Sequence, residues 1–177
     1  MKASKHAGKV VLMTVIALGM AIFSLTLPWY EWGNDTYWIQ FESWGDYGYD
    51  QYPAFKGFPG DPVGEVMSGI MMLVDVWFIL AVVFVGLCLI DRRLLSILIG
   101  AALTALSVLG IIFFAHGMPT ALNTDGFIGG TGSGRHEPLS GFWLLTFACV
   151  IQVSAVLVRA WTVIPQLREP ERIPETN

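Results

Sequence analysis

Four apolar runs, residues 10–27, 67–90, 94–115 and 142–163, constrain this chain more than any other feature. Each reaches the roughly 17–25 residues that an α-helix needs to cross the hydrocarbon core of a bilayer. In lipid, backbone N–H and C=O groups must be satisfied within the protein, so isolated runs of this length fold as helices. Composition agrees. Of 177 residues, 54% are hydrophobic and 14% charged, whereas a soluble domain carries about 25% charged residues. The predicted fold is all-α and integral to the membrane: one four-transmembrane-helix bundle spanning residues 1–164. Outer loops cover 29–66 and 116–140. Residues 165–177, with Pro165, Pro170 and Pro174 among alternating charges, are expected to be a disordered cytoplasmic tail.

Basic residues give the orientation. Lys2, Lys5 and Lys9 precede the first run, Arg92 and Arg93 join the second to the third, and Arg159, Arg168 and Arg172 close the fourth. Only Lys56 and Arg135 fall in the other loops. The positive-inside rule then places both termini in the cytoplasm, with the cell membrane as the expected host. The first run is read as a retained helix: its core is longer than that of a signal peptide, and Ser24-Leu25-Thr26-Leu27-Pro28-Trp29 offers no small-x-small cleavage site. Cys88 and Cys149 lie at different depths, so no bridge between them is expected.

The first outer loop holds all five tyrosines, together with Trp29, Trp32, Trp38 and Trp44, and is strongly acidic. Residues 36–41 are β-prone and flanked by turn formers, which predicts one or two short strands in a small extracytoplasmic cap. Trp29, Tyr30 and Trp32, next to the first helix, fit a belt at headgroup depth. The later aromatics and acids (Tyr37, Trp38, Trp44, Asp46, Tyr47, Tyr49 and Asp50) form the expected contact surface of the cap. In the second outer loop, the glycine-rich stretch 126–134 lacks the strand-to-helix setting and Lys-Ser/Thr ending of a phosphate loop, so it reads as a linker.

Small and polar residues recur at helical spacing in every run: Thr14, Ala17, Ala21 and Ser24; Ser68, Asp75 and Gly86; Ser96, Gly100, Thr104 and Ser107; Gly141, Ala148, Gln152, Ala155 and Arg159. Small residues let helix backbones approach in a medium that offers no hydrophobic incentive, so these stripes are expected to face inward. Asp75 stands out among them. A carboxylate near the membrane centre costs roughly 2.5–3.5 kcal/mol even on the forgiving insertion scale. Counting about 1.5 Å per residue brings Asp75, Ser107 and Gln152 to one depth, roughly 12 Å below the outer boundary. The expectation is a buried intramembrane polar layer of these three residues acting as an interhelical clasp. The competing reading makes Asp75 a carrier of protons or cations.

Nothing in the sequence points to an enzyme, and neither a cofactor nor a metal is expected. His6, His116 and His136 lack ligand spacing, and no serine elbow, Cys-His pair or Cys-x-x-Cys occurs. At a formal net charge of −4, no nucleic-acid partner is expected.

Leu27-Pro28-Trp29 at the end of the first run, the loop tryptophans Trp38 and Trp44, and the Arg92-Arg93 pair opening the third run together resemble the claudin and peripheral-myelin-protein superfamily. The layout is similar along the whole chain: four helices, cytoplasmic ends, a longer first outer loop with strands and a very short inner loop. The paired cysteines of that family's first loop are absent here. The resemblance implies a non-enzymatic bundle that associates laterally. The expected function is therefore that of a membrane interaction or accessory protein, self-associating or bound to another membrane protein, with a small transporter or channel subunit as the alternative.

Overall fold

The computed structural model describes residues 5–33, 38–42, 47–49, 62–122 and 135–168. Among them are four helices, α1 (Lys5–Ser24), α2 (Pro62–Leu89), α3 (Arg93–Leu122) and α4 (Ser140–Arg168). Four strands complete the fold: β1 (Pro28–Gly33), β2 (Trp38–Glu42), β3 (Tyr47–Tyr49) and β4 (Arg135–Pro138). Each helix contains a stretch long and apolar enough to cross a membrane: His6–Ser24, Gly69–Leu89, Arg93–Gly117 and Ser140–Pro165. The helices pack as a ring in chain order, α1 against α2 and α4, and α3 against α2 and α4.

Inward-facing residues follow alternating steps of three and four, the 3.5-residue period of knobs-into-holes packing. On α1 these are Ala7, Val10, Thr14, Ala17, Ala21 and Ser24, and on α2 Ile70, Val74, Trp77, Ala81, Phe84 and Cys88. The expected stripes of α1 and α4 are buried throughout, and that of α3 is buried apart from half-buried Thr104. Helix α2 departs from expectation. Its buried seam carries bulk, while Asp75 and Gly86 lie exposed on its outward side; the Ser68 side chain is outside the described set. The reason is complementarity of size. A Cβ on Gly100 of α3 would stand 2.8 Å from Cγ1 of Val156 and 3.2 Å from Cε2 of Phe84. Large side chains of α2 thus fill hollows left by small residues on its neighbours, as close packing demands.

The helices extend beyond most of the predicted limits. Helix α3 continues past Ala115 to Leu122, and α4 passes through Pro165 to Arg168, so the start of the expected tail is helical. Residues 169–177 and the glycine-rich 126–134 fall outside the described residues. Helix α1 instead stops early, at Ser24. Leu25, Thr26 and Leu27 donate to carbonyls three residues back, at 3.1–3.2 Å, tightening the chain before Pro28.

Between α2 and α3 the chain turns within three residues. Arg92 N donates to Leu87 O at 2.9 Å and Asp91 N to Cys88 O at 3.4 Å, the bonding pattern of a Schellman cap. Asp91 occupies the left-handed position, with φ of 52°. Glycine is the usual residue there, and aspartate is one of the few others that tolerate it.

The strands form one antiparallel sheet in the order β3-β2-β1-β4, so it joins the α1–α2 loop to the α3–α4 loop. Strand β2 falls where β-propensity placed one. Strands β1 and β4 were not expected. Aromatic residues raise β-propensity as readily as they mark a headgroup belt, which is why β1 was misread. Strand β4 is three polar residues followed by proline, and it forms at the sheet edge because β1 offers it a ladder, from Tyr30 opposite Pro138 to Gly33 opposite Arg135.

Candidate functional site

The expected clasp of Asp75, Ser107 and Gln152 does not assemble. Ser107 and Gln152 are buried, but Asp75 lies on the outward face of α2, away from both. Two residues further along α2, Trp77 takes the inward place and donates its indole N–H to Ser107 Oγ at 3.0 Å. Ser107 in turn donates to the Leu103 carbonyl at 2.8 Å. The expected angular position fails: helix rotation is set by the whole seam, and Trp77 belongs to that seam while Asp75 does not.

Gln152 is fully buried midway along α4, and neither Oε1 nor Nε2 meets a hydrogen-bond partner within the described residues. Leaving a buried polar group unpaired costs about 1–3 kcal/mol. Nearer the end that carries the sheet, a cavity of about 40 Å³ lies among Trp77, Ser107, Phe114, Phe142 and Cys149. Its walls are almost entirely apolar and its one buried hydroxyl, that of Ser107, is already engaged, so the space offers a polar ligand no grip.

The internal charge sits at the other end. Arg159 of α4 is only 3% exposed. Its Nε donates to Ser96 Oγ at 3.0 Å and its Nη2 to Asp91 Oδ1 at 3.1 Å. Arg93 reaches the second Asp91 oxygen at 3.2 Å. Ser96 donates onward to the Arg93 carbonyl at 2.8 Å. Partial burial pushes the Asp91 carboxyl up, but hydrogen bonds from Arg159 and then Arg93, with the charges of both guanidinium groups, outweigh it and hold the group below its ordinary range. The latch ties α4 to the turn between α2 and α3. The sequence placed Arg159 on the inward stripe of α4 and among the orientation signals, but gave it no partner and did not single out Asp91. The clue was present, because Arg159 already lay in the inward stripe of α4 and Asp91 is the one acid in the short α2–α3 link.

At the opposite end, Trp29 is the residue passed over by a register shift in the β1–β2 ladder, between Pro28 and Tyr30. It is fully buried rather than part of a headgroup belt, and its Nε1 donates to Ser24 O at 2.8 Å. Phe114 meets it edge-on at 6.1 Å, and Phe142 stacks on Phe114 at 4.4 Å. A Cβ on Gly141 would collide with Cδ1 of this indole and stand 2.9 Å from the Leu27 carbonyl oxygen. Leu139 N bonds Trp29 O at 2.9 Å, so the sheet, α1 and α4 are joined at one point.

Of the expected cap surface, Trp38 lies on β2 and Tyr47 and Tyr49 on β3, with Tyr47 opposite Phe41 and Tyr49 opposite Ile39. Tyr37, Trp44, Asp46 and Asp50 fall outside the described residues. His116 is on α3 and His136 on β4. Among the described residues, no group of three His, Cys, Asp or Glu side chains gathers as a metal site would require. No family model matches the chain, and neither a curated protein nor a solved structure matches it.

Proposed function

We propose that this chain is a multi-pass membrane protein, with both termini in the cytoplasm, whose role is to associate laterally with another membrane component rather than to catalyse a reaction. One observation carries the reading: Asp75 stands exposed on a helix face that is otherwise apolar. In a bilayer such a carboxylate is costly and is kept where something answers it. Exposed Met72, Ile79 and Val82 around it suit lipid or a neighbouring helix and suit water poorly. The sheet that joins both loops gives the outer side a braced platform, in keeping with the claudin-like layout, and Trp38, Tyr47 and Tyr49 belong to its strands. Carriage of protons or cations through the bundle finds less support, since Asp75 does not line the cavity within it.

Purification from native membranes in mild detergent, after cross-linking, tests the reading. An oligomer or a hetero-complex is the expected result. A monodisperse single chain with no cross-linked neighbour would overturn it.

A further inference from the structure

We propose that the outward face of α2 seats a transmembrane helix of a second protein, and that this helix carries a lysine or arginine at the depth of Asp75. The inference rests on the lateral-association reading and names the partner's chemistry. Asp75 shares its face with Met72, Ile79 and Val82, which are 70%, 64% and 61% exposed, and with exposed Gly86. Nothing lies within 4 Å of where a Cβ on Gly86 would stand, so a neighbouring backbone can come close there. The face therefore combines a smooth apolar strip, a point of close approach and one acid.

The acid decides which partner fits. The ion pairs among the described residues, Arg93–Asp91 and Arg159–Asp91, both use the other aspartate. Lys9, Arg92, Arg93 and Arg159 all lie at the end of the bundle that holds the α2–α3 turn. Asp75 lies roughly a third of the way along the Gly69–Leu89 span from its opposite end. Among the described helical residues, a second copy of this chain crossing in the same direction therefore brings no cation to that depth. Symmetric contact through α2 would bring Asp75 to Asp75, and two carboxylates side by side cannot both stay ionised. A helix with a basic residue at that level neutralises the carboxylate and covers the strip at once.

The test uses the full chain in phosphatidylcholine vesicles with a polyleucine transmembrane peptide bearing a single lysine at the matching depth, read by energy transfer. The lysine peptide should bind at least tenfold more tightly than its all-leucine counterpart. Asp75→Asn should abolish that preference, and Asp75→Lys should transfer it to a peptide bearing aspartate. Helicity by circular dichroism confirms that each variant is folded, as expected for a residue with no hydrogen bond or ion pair among the described residues. Equal binding of the lysine and leucine peptides overturns the proposal, as does a preference that survives Asp75→Asn. Self-association lost on Asp75→Asn, without preference for the lysine peptide, overturns it in favour of a second copy. A complex recovered from native membranes alongside equal peptide binding removes this inference and leaves lateral association standing. A monomer in native membranes removes the broader reading.

Discussion

Arg159 and Asp75 are both charged side chains in apolar helices, and their settings are opposite. Arg159 points inward and is answered within its own chain by Asp91 and Ser96. Asp75 points outward, and no hydrogen bond or ion pair to it occurs among the described residues. The difference separates two uses of charge. A buried cation with its anion supplied locally fixes how the helices sit, whereas an anion left on an apolar exterior is a demand on another molecule. The first is bonded into the fold. The second is not bonded to any described residue.

The largest effect should come from Asp91→Gly. Glycine suits the left-handed turn better than aspartate does, so any loss belongs to the latch. Stranding one member of a wholly buried pair costs roughly 3–5 kcal/mol. The Asp91 side chain is 49% exposed, so solvent screening lowers the expectation to about 2 kcal/mol. Arg159→Met removes the charge itself and should cost less, because Asp91 can turn to water and keep Arg93. Unfolding midpoints in a detergent titration compare the two. If Asp91→Gly proves neutral, the carboxylate is a turn residue only and the contrast with Asp75 breaks.

Gly141→Ala supplies an uncharged control at the opposite end. The added methyl must displace the Trp29 indole, and overpacking of this kind costs about 1–3 kcal/mol. Loss at this site should not vary with pH between 3 and 7, on the order of ordinary carboxyl titration. A pH-dependent loss would mean that the two ends are coupled.

Gln152 extends the contrast to the inside, as a buried polar group that meets no hydrogen-bond partner among the described residues. Gln152→Met keeps the length of the side chain and removes both unpaired atoms. Stability should rise by about 1 kcal/mol. A fall would show that the amide bonds to something in the folded bundle, and it would belong with Arg159 as a structural group.

Acid should loosen the latch. The folded state holds the Asp91 carboxyl below its ordinary value of 3.8. Its contribution is complete above that value and is lost as pH falls through the lower, folded one. The effect should be smaller than that of Asp91→Gly, because a protonated carboxyl still accepts a hydrogen bond from Arg159. Midpoints measured down to about pH 2.5, a range set by ordinary carboxyl values, should decline in the native chain and stay level in Asp91→Gly. Parallel curves would assign the acid sensitivity to other groups.

Much of this was legible in the sequence, for reasons that particular residues make plain. The four spans follow from apolar length alone. The inward faces of α1 and α4, and most of that of α3, follow from small residues such as Ala17, Gly100 and Ala155, because tight approach leaves them no alternative. Helix α2 was read backwards. Its seam is built from Trp77 and Phe84, and large apolar residues carry no facing signal when lipid and protein are equally apolar. Strand β4 was invisible because residues 135–138 have little propensity of their own and owe their form to β1. The latch was half visible: Arg159 sat on the right face, but pairing it with Asp91 requires knowing which turn α4 passes.

Asp75→Leu should have the smallest effect on the fold. It removes no hydrogen bond or ion pair found among the described residues, so the unfolding midpoint of the purified single chain should stay within about 0.5 kcal/mol of the native value. That near-zero result is informative only beside Asp91→Gly, measured in the same detergent. A drop of comparable size in both would place Asp75 among the groups that build the bundle, and its exposed position would need an intramolecular partner. A stable Asp75→Leu chain that no longer co-purifies with its membrane neighbour separates the two charges by function. The fold then depends on the one turned inward, and the assembly on the one turned out.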